Sequence, residues 1–243
     1  MQLRKKEIQS ILIVAFIAAF IFSFNEWGIE NFNITLGIQN LILAFVFCLI
    51  IYTVHAFSQK FTANFYDHDV EFTYISMKKK IAEIRKTITI PIGPLLTLLI
   101  TLISNGKFIF LILNSFNLKT NKTRRLGHKW VNIKEFEEAQ IALAGPLSNI
   151  LILILFKILT PLSGVFSRGM FIASTIAIFN MLPIPKVDGS RIFFGSRPLY
   201  VASLIFIIIF VILIFQLSVL QTLILTSLLS LIIGGIYLYK LNN

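Results

Sequence analysis

Cysteine, histidine and acidic side chains are scarce in this chain. Its 243 residues include one cysteine and three histidines, and 11 aspartates and glutamates stand against 22 lysines and arginines. The single cysteine, Cys48, excludes an intramolecular disulfide. Charged residues amount to only 14% while 56% are hydrophobic, and the mean hydropathy of +0.84 excludes a soluble domain of this length. No internal repeat or low-complexity linker divides the chain, so residues 1–243 are read as a single membrane-embedded domain. No small-residue cleavage site follows the first apolar stretch, which is expected to stay as an anchor behind Arg4, Lys5 and Lys6. The net charge of +11 lies largely in short loops beside apolar segments, where it sets orientation and meets anionic lipid. A nucleic-acid partner is not expected.

Apolar runs long enough to span a bilayer occur at about 8–24, 38–57, 139–160, 168–182, 199–217 and 219–238, which predicts six transmembrane helices in an all-α membrane protein. A basic N-terminus places residue 1 in the cytoplasm. The loop at 25–37 carries Glu26 and Glu30 and no lysine or arginine, whereas 60–87 and 117–138 are both basic, with Lys60, Lys78, Arg85, Lys122 and Arg124 among their residues. The apolar segment 88–116 between these two inner loops should therefore return to its own side as a re-entrant hairpin, the alternative being an ordinary transmembrane helix with a basic outer loop. Pro91, Gly93 and Pro94 near its start and Asn105-Gly106 near its middle fit that path, with one or two short strands around it. Backbone of this kind must lie against protein or a water-filled cavity.

Polar groups at membrane depth are costly and mark sites by default. They fall in "VHAFSQKF", with His55 and Gln59; in "AGPLSN", with Gly145, Pro146 and Asn149; and in "FNMLPIPKVDGSR", with Asn180, Pro183, Pro185 and Asp188. Pro183 and Pro185 prevent helix continuation, so Asp188 is expected on a loop at the inner membrane edge, on the same side as His55 near the inner end of the second span. His68 and His128 lie among charged neighbours and read as solvated loop histidines. Asp67, Asp69 and Glu71 read as a solvated face.

In this order the three segments resemble the site-2 protease family of intramembrane zinc metalloproteases. Its members carry a His-Glu-x-x-His helix, a Gly-Pro-x-x-Asn helix and an Asn-x-x-Pro-x-x-x-Leu-Asp-Gly segment in a compact three-helix core. The likeness covers about residues 38–190, with Val187 where the family usually has leucine. It implies that His55 and Asp188 stand at two zinc-ligand positions and that Gln59 stands at the second histidine's. Ala56 stands at the position of the glutamate that acts as general base on water. Asn149 and Asn180 would orient substrate or a developing oxyanion.

The first motif is thus degraded to His-Ala-x-x-Gln, and no other residue supplies the base. The implied function is an intramembrane metalloendopeptidase framework acting on transmembrane segments of membrane proteins. This chain is expected to be inactive and to hold zinc weakly or not at all, either as a natural pseudoenzyme or through alteration of the two positions. Two other classes remain open: a non-catalytic protein that binds transmembrane helices, and a small transporter, which midplane polarity and a broken helix would suit.

Overall fold

Asn33 starts the longest helix by accepting a hydrogen bond from the Leu36 amide at 3.1 Å, and no proline interrupts the 32 residues that follow. The computed structural model describes residues 2–28, 32–81, 86–120 and 134–242, in which helices predominate. The elements run α1 (Lys5–Ser23), α2 (Ile34–Phe65), β1 (His68–Tyr74), β2 (Met77–Ile81), β3 (Lys86–Ile90), α3 (Ile92–Ile103) and β4 (Asn114–Thr120). They continue with α4 (Glu135–Leu159), α5 (Val165–Asn180), α6 (Asp188–Gly195), α7 (Arg197–Ile214) and α8 (Val219–Asn242).

Among the described residues, four helices, α1, α2, α4 and α7, are long and apolar enough to cross a membrane. The sequence predicts six spans. The two that fall short are α5, whose 16 residues end at Asn180 ahead of Pro183 and Pro185, and α8, whose apolar part is Val219–Gly235. Small buried side chains let α1 and α2 approach closely: Ala15, Ala18 and Ala19 on the first, Ala44 and Cys48 on the second. One apolar core joins these helices to α4, α5, α7 and the inner faces of β1 and β4.

Lys60, expected as the first basic residue of an inner loop, lies inside α2 and is buried. Its ammonium donates to both Glu7 carboxylate oxygens, at 2.9 and 2.8 Å, and to the Gln2 carbonyl at 3.1 Å. Glu7 also accepts from the Phe72 amide at 3.3 Å. Burial of a charge is tolerated when pairing and further hydrogen bonds offset its desolvation. The cluster ties α1, α2 and β1 together, and lets α2 run on to Phe65 where the sequence predicts an end near 57.

Among the described residues, four short strands form two antiparallel ribbons, β1 with β4 and β2 with β3, more than the one or two expected. The segment at 88–116 ends where it begins. The Gly93 amide donates to the Ile75 carbonyl at 3.0 Å and the Ile75 amide to the Leu113 carbonyl at 2.9 Å, so both ends meet one residue. Between them the chain climbs as α3, turns at Asn105 and Gly106, both at positive φ, and comes back extended into β4. The returning arm, "KFIFLI", is too rich in aromatic and β-branched residues to favour helix. At the tip, the Asn25 side-chain amide holds the Gly106 carbonyl at 2.8 Å.

The acidic run is less solvated than its composition suggests. Asp69 pairs with Arg4, while Glu71 accepts from Lys119 at 2.9 Å with Arg4 at 3.8 Å. Lys119's hydrogen bond holds the Glu71 carboxyl below its ordinary value, partial burial opposes it, and the charges of Lys119, Arg4 and Lys6 add to the lowering. A depressed folded pKa contributes stability above the unfolded value of about 4.3, and that stability disappears as pH falls through the lowered folded value. Lys119 is well exposed, so the effect is small. Glu71→Gln is expected to flatten the acid limb of an unfolding-against-pH curve; an unchanged limb would count against the pairing.

Candidate site at His55 and Asp188

His55 belongs to α2, with ten residues of helix after it, about 15 Å of rise, so it lies well within the helix rather than near its end. Asp188 reaches it from α6. The chain cannot stay helical through Pro183 and Pro185, and Lys186 takes a positive φ of 73°. Ser115 donates to the Lys186 carbonyl at 2.7 Å and Tyr200 to the Met181 carbonyl at 3.1 Å, which pins this connection from two sides. Asp188 then opens α6 in its first turn, where the helix dipole favours a carboxylate, rather than standing on a loop as expected.

The two side chains meet directly. His55 Nε2 lies 2.9 Å from Asp188 Oδ2, and both side chains are wholly buried. The Asn114 amide nitrogen sits 3.4 Å from the same imidazole nitrogen. Asn114 opens β4 and was missed in the sequence, where its only signal is an amide directly after the apolar run 108–113.

Gly145 of α4 explains "AGPLSN". A β-carbon there would stand 2.3 Å from His55 Nε2 and 2.8 Å from Gln59 Nε2. Both α2 side chains therefore front the same spot on α4, and only a hydrogen fits between. Ser58 strengthens the contact by donating to the Ala144 carbonyl at 2.9 Å. Gly145→Ala is expected to destabilise the protein by about 1–3 kcal/mol through overpacking. Gly164, whose β-carbon would meet nothing within 4 Å, is the control. Equal unfolding midpoints for the two alanine variants would contradict the contact.

Ala56 and Gln59 are buried beside His55, and Asn149 and Asn180 are buried on α4 and α5. Neither asparagine hydrogen-bonds to His55 or Asp188. His55 Nδ1, Asp188 Oδ1, Gln59 Nε2, both amide atoms of Asn149 and Asn180 Nδ2 have no hydrogen-bond partner among the described residues. Buried polar atoms are usually satisfied, so these unpartnered atoms set this region apart from a purely apolar core.

The donor set present does not fit a zinc ion. Such a site needs three protein ligands and an open position, and no group of three histidine, cysteine, aspartate or glutamate side chains could hold a metal among the described residues. The two candidate donors are hydrogen-bonded to each other, and the Gln59 amide oxygen is a weak substitute for imidazole. A His-Asp pair can also orient an imidazole for a serine nucleophile. Here Nδ1 meets no hydroxyl among the described residues, so that chemistry is incomplete as well.

His68 is not a solvated loop residue. It opens β1, is buried, and lies 3.5 Å from Glu137 Oε2 in the first turn of α4. His128 lies outside the described residues, as do Arg85, Lys122 and Arg124. Compared with known proteins, the chain matches no family model, no curated protein and no solved structure.

Proposed function

We propose that this chain is the framework of a site-2-protease-like intramembrane zinc metalloprotease, acting on transmembrane segments of membrane proteins and inactive as written. The observation that carries the reading is the buried meeting of His55 and Asp188, 133 positions apart in sequence, with Gly145 pressed against the imidazole. Three separated motifs that resemble one family converge on one point. Among them, Ala56 and Gln59 occupy the positions of the missing base and ligand.

In this reading α5 and α8 complete six membrane passes, the N-terminus is cytoplasmic, and 88–116 re-enters from that side. The site then lies towards the cytoplasmic face of the lipid bilayer. Asn149 and Asn180 would hold substrate main chain or a developing oxyanion. A transmembrane helix must unwind before its peptide bonds can be attacked, and a strand edge such as that of β1 would receive it in extended form.

The direct His55–Asp188 hydrogen bond favours one further reading, a pseudoprotease that holds transmembrane segments without cutting them. Gln59→His distinguishes whether the site is a metal site at all. The variant should take up about one zinc per chain with little turnover, where the chain as written takes up none at the same free metal. A folded variant that remains metal-free would refute the ligand placement.

A further inference from the structure

Beside the β1–β4 ribbon and the first turns of α1 lies a cleft of about 600 Å³. One wall is the first turns of α1, including Lys6 and Gln9; the floor is β1 from Glu71 to Tyr74 with Ile75 and Ser76 beyond it; Lys186 and Arg191 close the far side. Ile75 and Leu113 stand opposite each other and are hydrogen-bonded, so the odd-numbered residues of β1 direct their main chain to β4. Phe72 and Tyr74 turn theirs the other way. The Phe72 amide demonstrates it by donating to Glu7 of α1. Tyr74 at the cleft keeps outward main-chain groups on an edge that no described strand occupies.

The charges around that edge do not balance. Glu71 is the one acid lining the cleft among the described residues, and its carboxylate is held by Lys119 and Arg4. Arg191 is engaged by Glu138 and by the Phe116 carbonyl and ring. Lys6 and Lys186 are exposed, and among the described residues the Lys186 ammonium donates only to the Ser76 carbonyl. Two ammonium groups thus flank the free main chain of Tyr74, and neither forms an ion pair among the described residues.

We propose that this cleft docks an extended acidic peptide segment of a partner protein, paired to the Tyr74 main chain at the outer edge of β1 with its carboxylates between Lys6 and Lys186. The strand edge sets the partner's conformation and the lysines set its charge. This rests on the reading of the chain as a holder of extended membrane-protein segments, and it adds which segments are held.

The test uses the full chain in zwitterionic nanodiscs and a fluorescent β-prone peptide carrying two aspartates, compared with its asparagine twin. The aspartate peptide should bind roughly tenfold more tightly, with the advantage shrinking as salt rises. Lys6→Glu with Lys186→Glu should erase that preference and favour a lysine-bearing peptide instead. If that variant misfolds, the Lys→Gln pair should still lose the preference while binding the asparagine peptide unchanged. Equal binding of the two peptides would overturn the proposal. So would loss of peptide binding in nanodiscs containing phosphatidylglycerol, which would make an anionic lipid headgroup the occupant. Cleavage by a metal-restored variant without acidic preference would sink this proposal and leave the protease reading standing; acidic preference without metal binding would do the reverse.

Discussion

Ala56→Glu combined with Gln59→His is expected to convert the chain into a chelator-sensitive endopeptidase. It should cleave a membrane-spanning peptide on the order of 10²-fold or more faster than Gln59→His alone, the contribution typical of a general base. Position 59 lies one turn beyond His55 and fronts the same spot on α4, so a second imidazole would stand beside the first. Asp188 already reaches His55 from α6. The new carboxylate at the buried position 56 would be next to His55 in sequence, and without a cation it would be a costly buried charge beside Asp188. The double variant should therefore be less stable than the chain as written until zinc is added. Asp188→Ala in that background should abolish both metal binding and cleavage. Zinc uptake with no cleavage across a broad panel of transmembrane substrates would favour the pseudoprotease reading.

Glu7→Ala should be among the most destabilising substitutions outside the site. It leaves the Lys60 ammonium in the interior with the Gln2 carbonyl as its remaining hydrogen-bond partner, and it strips the Phe72 amide of its acceptor. Breaking a buried pair by removing one partner costs about 3–5 kcal/mol, whereas replacing both by apolar groups of similar volume is often neutral. Glu7→Leu with Lys60→Met should accordingly recover most of the loss. Unfolding in mild detergent measures both; a loss below about 1 kcal/mol for Glu7→Ala would mean that water reaches the pair.

The sequence made the apolar architecture and the candidate site legible because both rest on strong local signals. Long hydrophobic runs need helices, and Asn105-Gly106 needs a turn. His55, Gly145 and Asp188 stand out as polar or small groups in apolar surroundings, and the structure brings these three together. What stayed hidden depends on partners distant in sequence. Lys60 looked like a loop cation because nothing nearby announces Glu7, 53 positions earlier. His68 looked solvated because its neighbours are charged, yet β1 carries it against Glu137. Asn114 gave no periodic signal at the end of an extended arm. The length of α5 was not legible either: its 16 residues end at Asn180, ahead of Pro183 and Pro185, which a helix cannot follow.

X-ray absorption at the zinc edge of the purified Ala56→Glu/Gln59→His variant tests the central claim most directly. The claim predicts one zinc per chain, bound by two imidazole nitrogens at about 2.0–2.1 Å and a carboxylate oxygen at a similar distance, with the zinc lost on Asp188→Ala. A folded double variant that holds no zinc, or holds it unchanged without Asp188, would show that His55 and Asp188 are a structural hydrogen bond and not the remainder of a metal site.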